Sequence, residues 1–194
     1  MNLLRPILDS SPDLSYILGV LYGDGCVYAA KQYHIILSTV DKPFAESFKE
    51  SLNQIGLHSK LYLRKYSDGK RKNQWLICGC SKIFTLWFKK LSINDLERIA
   101  CLYPIDFIRG FYESEGHVNV SKSLTKIYRR IFIDNTNGEM TAMIYELLRN
   151  QGFHPTFRKF RNPPWKDRFR VRLSRKQEVD RFLFVVNPCI KRGA

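Results

Sequence analysis

Two stretches, Tyr16-Ile-Leu-Gly-Val-Leu-Tyr-Gly-Asp-Gly25 and Phe107-Ile-Arg-Gly-Phe-Tyr-Glu-Ser-Glu-Gly116, decide how this chain is read. Each is apolar, carries a glycine four positions in, and ends in an acid followed by glycine. The acids, Asp24 and Glu115, are 91 residues apart. Self-similarity continues beyond them. Gly56-Leu-His58 matches Gly152-Phe-His154, and Ile36–Thr39 matches Phe132–Asn135, both at an offset of 96. The second copy therefore holds about five extra residues between Gly116 and Phe132, with Ser121–Lys126 read as a hairpin loop, where insertions cost little. Ordered matches of this kind mark a duplicated unit.

Periodicity and end signals give each unit the order α-β-β-α-β-β-α, an α+β fold. In the first unit, Ser11-Pro12 caps a helix running to Tyr22, and strands follow near Cys26–Tyr28 and Gln32–Thr39. Asp41 opens a helix to Ile55, with Phe44, Phe48, Leu52 and Ile55 on one stripe. Strands near Lys60–Lys65 and Gln74–Gly79 flank the turn Ser67-Asp68-Gly69, and Ser81 caps a helix through Phe88. In the second unit, Pro104 starts the motif helix, followed by strands near His117–Val120 and Tyr128–Asp134 and a helix over Glu139–Asn150. Strands near Thr156–Phe160 and Arg168–Leu173 follow, and Ser174-x-x-Gln177 reads as a capping box for the last helix. The expected layout is a lead over 1–12, a first unit over 13–90, a connector over 91–103, a second unit over 104–186 and a tail over 187–194.

Small residues recur four apart in each motif helix: Gly19 and Gly23, then Gly110 and Ser114. A helical glycine costs roughly 1 kcal/mol against alanine, and close approach of two helices offsets that cost. Pairing through these faces would set the two helix C-termini side by side. A carboxylate at the negative end of a helix is misplaced by roughly 0.3–1 kcal/mol, and two such ends together compound the conflict. A divalent cation removes it, and carboxylates with helix-end carbonyls make a hard-oxygen site suited to Mg²⁺.

The chain carries 32 Lys and Arg against 18 Asp and Glu, a formal charge of +14, so a polyanionic partner is expected. With 44% apolar residues it can bury a core, but no apolar run approaches the roughly 20 residues of a membrane span. Met1–Ser11 lacks the apolar core of a signal peptide, so an intracellular protein with no targeting segment is expected. Arg168-Phe-Arg-Val-Arg-Leu173 alternates strictly, which puts Arg168, Arg170 and Arg172 on one face as phosphate or guanine readers. Arg158, Lys159, Arg161 and Lys166 precede it, and the first unit offers Lys60, Arg64, Lys65, Lys70, Arg71 and Lys72. Two basic sheets would form a saddle for double-stranded DNA around the helix pair. The five cysteines are expected as buried free thiols in a reducing compartment, since their spacing with the four histidines fits no zinc site.

The two ten-residue segments resemble the LAGLIDADG motif of homing endonucleases, in the single-chain form with two motifs. The resemblance covers nearly the whole chain. It implies a monomer with internal pseudo-two-fold symmetry that cuts both DNA strands at a long site and leaves short 3′ overhangs, usually encoded within an intron or intein. It implies metal ligation by Asp24 and Glu115, joined by the carbonyls of Gly23 and Ser114, with Mg²⁺ or Mn²⁺ active and Ca²⁺ bound without cleavage. At the first motif's earlier acidic position stands Tyr22, whereas the second keeps Glu113. The polar residues expected near the attacking water fall on Thr39 and Asn135, and the pocket lysine falls, by position, on Lys122 or Lys31. The alternative is an RNA-splicing maturase or non-cleaving binder on the same scaffold. Intact Asp24 and Glu115 favour the enzyme.

Overall fold

A computed structural model of the chain describes residues 5–30, 32–67, 70–123, 126–161 and 163–190. The first unit runs α1 (Pro12–Tyr22), β1 (Cys26–Ala29), β2 (Tyr33–Thr39), α2 (Lys42–Gln54), β3 (Ser59–Arg64), β4 (Gln74–Cys80) and α3 (Lys82–Lys90). After α4 (Ile93–Leu102), the second unit repeats that order. It comprises α5 (Pro104–Glu115), β5 (Gly116–Ser123), β6 (Lys126–Asn135), α6 (Gly138–Asn150), β7 (Thr156–Phe160), β8 (Arg168–Leu173) and α7 (Lys176–Val185). Each unit builds one antiparallel four-stranded sheet, ordered β1-β2-β4-β3 and β5-β6-β8-β7.

Local chemistry accounts for the boundaries. The Ser11 and Ser81 hydroxyls accept from the Leu14 and Phe84 amides, capping α1 and α3. Gly56 and Gly152, the repeated glycines after α2 and α6, have φ of +80° and +75°, a left-handed stop that glycine enters without strain. The following amides fold back identically, Leu57 onto the Leu52 carbonyl and Phe153 onto that of Leu148. One face of each sheet packs on helices: Ile35, Leu37 and Ile77 in the first and Ile131, Ile133, Val171 and Leu173 in the second are buried.

The connector contains α4, whose Ser92 hydroxyl accepts from the Asp95 amide and whose Leu96 and Ala100 are buried. Three expectations are corrected. Ser121–Lys126 is not a loop, because Ser121, Lys122 and Ser123 pair with Tyr128, Ile127 and Lys126, so the extra residues lengthen the hairpin. The Ser174 capping box does not form. β8 persists to Leu173, the chain needs Ser174 and Arg175 to turn, and α7 starts from Arg175 with no side-chain cap. The cysteines are free but not buried: Cys26, Cys80 and Cys101 are exposed, and Cys78 and Cys189 half-buried. Asp68 and Gly69 of the β3–β4 turn lie outside the described residues.

At the centre, α1 crosses α5 almost backbone to backbone. A Cβ on Gly19 would lie 2.3 Å from the Phe107 carbonyl oxygen, and one on Gly110 would lie 2.3 Å from that of Tyr16. Both contacts are with main chain, which cannot swing aside. Glu113, 1% exposed, ties the crossing together. Its carboxylate accepts from the Tyr16 hydroxyl at 2.6 Å and from the Cys189 amide at 2.7 Å, joining α1, α5 and the C-terminal segment. Burial first, then the neighbouring Glu113, pushes the Tyr16 phenol well above its ordinary range, so Tyr16 remains a donor. Gly19→Leu should therefore lower stability by roughly 1–3 kcal/mol or more, as overpacking against fixed atoms does. Thermal melts against the parent check it, and an unchanged melting temperature would mean the helices do not cross here.

Candidate functional site

Each acid sits where a motif helix passes into the first strand of its unit. The two junctions touch: a Cβ on Gly23 would lie 2.4 Å from the Ser114 Cβ and 3.3 Å from the Glu115 Cγ. Glu115 is half-buried and Asp24 exposed. The Ser114 hydroxyl donates back to the Gly110 carbonyl at 3.2 Å, which keeps it within its own helix. Two carboxylates thus share one small region at two negative helix ends. Among the described residues, no group of three or more His, Cys, Asp or Glu side chains gathers as a metal cage. Two carboxylates with main-chain carbonyls of Gly23 and Ser114 fit a hard divalent cation that keeps positions for water or phosphate oxygens.

The strand register places the other expected catalytic residues differently. Thr39 and Asn135 share the pleat face of buried Leu37 and Ile133, the face that packs on helices. Their side-chain oxygens accept from the Asp41 and Asn137 amides, at 3.2 and 2.7 Å, in matching turns into α2 and α6. Ser38 and Asp134, one residue earlier, point to the helix-free face. Lys122 also lies on the helix side: it pairs with Ile127 and lines a cleft with Val179 and Asp180 of α7. Even-numbered β5 residues share the face of Val118 and His117 takes the other, so Lys122 projects from the helix side of its sheet. Lys31 lies outside the described residues.

The basic residues divide between faces in the same way. Lys60 and Arg64 project from the helix-free face of the first sheet, on the rungs of Cys78 and Gln74. Lys65, Lys70, Arg71 and Lys72 are exposed around the β3–β4 connection, with the Arg71 guanidinium 4.1 Å from the Tyr66 ring centroid. On the second sheet, Arg158, Arg168, Arg170 and Arg172 share the helix-free face with Arg130, which sequence reading missed. Arg161 is exposed just beyond β7. Lys159 is on the opposite face, paired with Asp167 at 2.7 Å.

Arg170 is not an outward reader. It donates from Nε and Nη2 to the two oxygens of Asp134, at 2.6 and 2.8 Å, and its guanidinium stacks 4.2 Å from the Phe132 centroid. The residues face each other across β6 and β8, a register that sequence periodicity cannot supply. The signal was Asp134, the lone acid among the residues of β6 and β8.

A family model described as LAGLIDADG-like domain matches residues 11–90 and 103–187, one match per unit. The chain belongs to the LAGLIDADG-like family. Two uncharacterized proteins of Methanocaldococcus jannaschii are 34% identical to this LAGLIDADG chain. MJ0398 aligns over 95% of it and 70% of its own length, MJ0314 over 75% and 56%. The fold is that of mesophilic variants of the homing endonuclease I-DmoI (TM-score 0.65, 19% identity, 90% of this chain and 94% of that one). It is also that of I-DmoI solved with DNA and Mn (TM-score 0.63, 20% identity, 92% and 97%). The N-terminal LAGLIDADG domain of DUF199/WhiA shares it too (TM-score 0.60, 13% identity, 95% and 85%). No helix among the described residues is long and apolar enough to cross a membrane.

The Arg170–Asp134 pair yields a stability test within this site. Both side chains are about four-fifths buried, at 21% and 17% exposure. Arg170→Met should leave Asp134 unpaired and cost roughly 1.5–3 kcal/mol, the worth of charged hydrogen bonds, whereas exposed Arg168→Met should cost little. Denaturant midpoints compare them, and equal loss in both would show that the pair is not structural.

Proposed function

We propose that this LAGLIDADG chain is a site-specific, metal-dependent double-strand DNA endonuclease of the homing type. The supporting observation is that Gly23 lies directly against Ser114 and Glu115, so that the acids of two separate motifs meet at one place. Asp24 and Glu115 would hold Mg²⁺ or Mn²⁺, aided by the Gly23 and Ser114 carbonyls. Bound there, divalent cations supply charge neutralisation at the scissile phosphate and favour hydroxide over water as the attacking species. The chain's own work is positioning. The Gly19–Gly110 crossing fixes the separation of the carboxylates, and Glu113 with Tyr16 fixes the rotation of one helix on the other. The basic helix-free faces hold the duplex backbone on both sides of the acids.

A non-cleaving nucleic-acid binder is the second reading, and one observation favours it. Lys122, Thr39 and Asn135 all belong to the helix side of their sheets, and Thr39 and Asn135 are engaged in turns into α2 and α6. The alternatives separate in one experiment. The duplex formed by joining the DNA that flanks the chain's own coding sequence is incubated with protein and Mg²⁺. Expected are cleavage of both strands with short 3′ overhangs, and binding without cleavage when Ca²⁺ replaces Mg²⁺. Asp24→Asn and Glu115→Gln should still bind but not cut, and affinity should fall steeply with salt. Cleavage persisting in excess chelator, or in both variants, would overturn the metal-dependent reading. Tight binding with no cleavage under any metal would establish the second.

A further inference from the structure

The two helix-free faces are built on one plan and chemically unlike. Thr39 pairs with Trp75 and Asn135 with Phe169, and both strand ends make the same turn bond. Rungs counted back from these ends are therefore equivalent. On the first sheet the next rung is Ser38 opposite Leu76, and two residues further Ile36 lies opposite Cys78. On the second sheet the same rungs are Asp134 opposite Arg170 and Phe132 opposite Arg172. The central strands of the first sheet thus offer no formal charge at these rungs. Its outer strands add Tyr28 and Tyr62, 54% and 44% exposed, with Lys60 and Arg64 on the edge strand. The second sheet offers guanidinium groups instead.

Those guanidinium groups are held for use. A cleft of about 240 Å³ opens among Thr156, Arg158, Phe160, Arg170 and Arg172. Arg172 lines this cleft, with its Nε buried and without a hydrogen-bond partner. Arg170 is committed to Asp134 and stiffens the cleft wall. The Arg168 guanidinium is 5.3 Å from the Phe160 centroid, which limits its rotamers. Pre-oriented arginines match the O6 and N7 acceptors of guanine in the major groove. Apolar side chains and thiols instead match the thymine methyl, and the β2–β4 rungs, which leave Lys60 and Arg64 to the edge strand β3, offer guanine no guanidinium at their centre.

We propose that the two sheets read half-sites of opposite composition. The sheet of β5–β8 takes a half-site with clustered guanines, through Arg158, Arg168 and Arg172. The sheet of β1–β4 takes an A·T-rich half-site through thymine methyl contacts. This rests on the duplex-binding reading above and goes beyond it by giving the target a polarity that the protein's internal symmetry does not require.

The test is selection of bound duplexes from a pool with about 20 randomised base pairs, with Ca²⁺ present, followed by measured affinities on the enriched sequence. Enrichment of guanines in one half and A·T pairs in the other is expected. Replacing guanine by 7-deazaguanine in the first half should weaken binding about 5- to 150-fold per base read, and this penalty should vanish in the Arg158, Arg168 or Arg172 alanine variant that reads it. Replacing thymine by deoxyuridine, which lacks only the methyl, should weaken binding in the other half and leave the guanine half unaffected. A selected site with similar composition in both halves overturns the proposal while duplex binding stands. Failure to enrich any duplex overturns the duplex-binding reading, and the proposal with it.

Discussion

The constraint on which the molecule depends is the contact between the main chains of α1 and α5 at Gly19 and Gly110. Each glycine lies where a single added carbon would meet a carbonyl oxygen of the other helix at 2.3 Å. Each costs roughly 1 kcal/mol of helix propensity, so the sequence sacrifices local stability for proximity. Proximity has one consequence that larger side chains would forbid. It brings Gly23 against Ser114 and Glu115, and with them the carboxylates of both motifs. The sheets then extend from the helix ends, because β1 begins two residues after Asp24 and β5 begins immediately after Glu115. One crossing therefore sets the site, the distance between the sheets and the symmetry relating them.

The polar groups around this crossing have separate tasks. Glu113 follows the same motif as Glu115 but faces inward, fully occupied by the Tyr16 hydroxyl and the Cys189 amide. Its counterpart in the first motif is Tyr22, half-buried with its ring tilted against Phe88 at 5.2 Å between centroids, so the first unit uses an aromatic contact where the second uses a buried carboxylate. The two motif acids two residues apart thus differ in burial: the inner one is enclosed and binds protein, and the outer one is half-buried at the helix end. Arg170 shows the same division among the arginines, its charge satisfied by Asp134 while Arg168 and Arg172 flank it.

Much of this was legible in the sequence because it follows from local rules. The duplicated motif, the small residues four apart and the paired glycine stops after α2 and α6 gave the two units, their order and the helix pair. Alternation placed β8 at Arg168–Leu173, where it lies. What was not legible depends on partners distant in sequence. The Asp134–Arg170 pair needs the β6–β8 register. The helix-side orientation of Lys122 needs the extended β5–β6 hairpin, which absorbed a segment whose Ser and Thr content suggested a loop. The Glu113 clasp needs the return of the C-terminal segment to the centre. The Ser174 box failed because strand pairing of Leu173 outcompeted an early helix start, and α4 was missed although Ser92 and Asp95 carry its cap.

The central claim is that close helix packing forces two like-charged carboxylates together where a divalent cation relieves them. Its most direct test is the melting temperature of the free protein against Mn²⁺ concentration at constant ionic strength, for the parent and for Asp24→Asn/Glu115→Gln. The parent should melt at rising temperature as Mn²⁺ is added. The double variant should melt at an equal or higher temperature than the parent without metal, and should not respond to Mn²⁺. An equal Mn²⁺ response in both proteins, or a double variant less stable than the metal-free parent, would contradict the account.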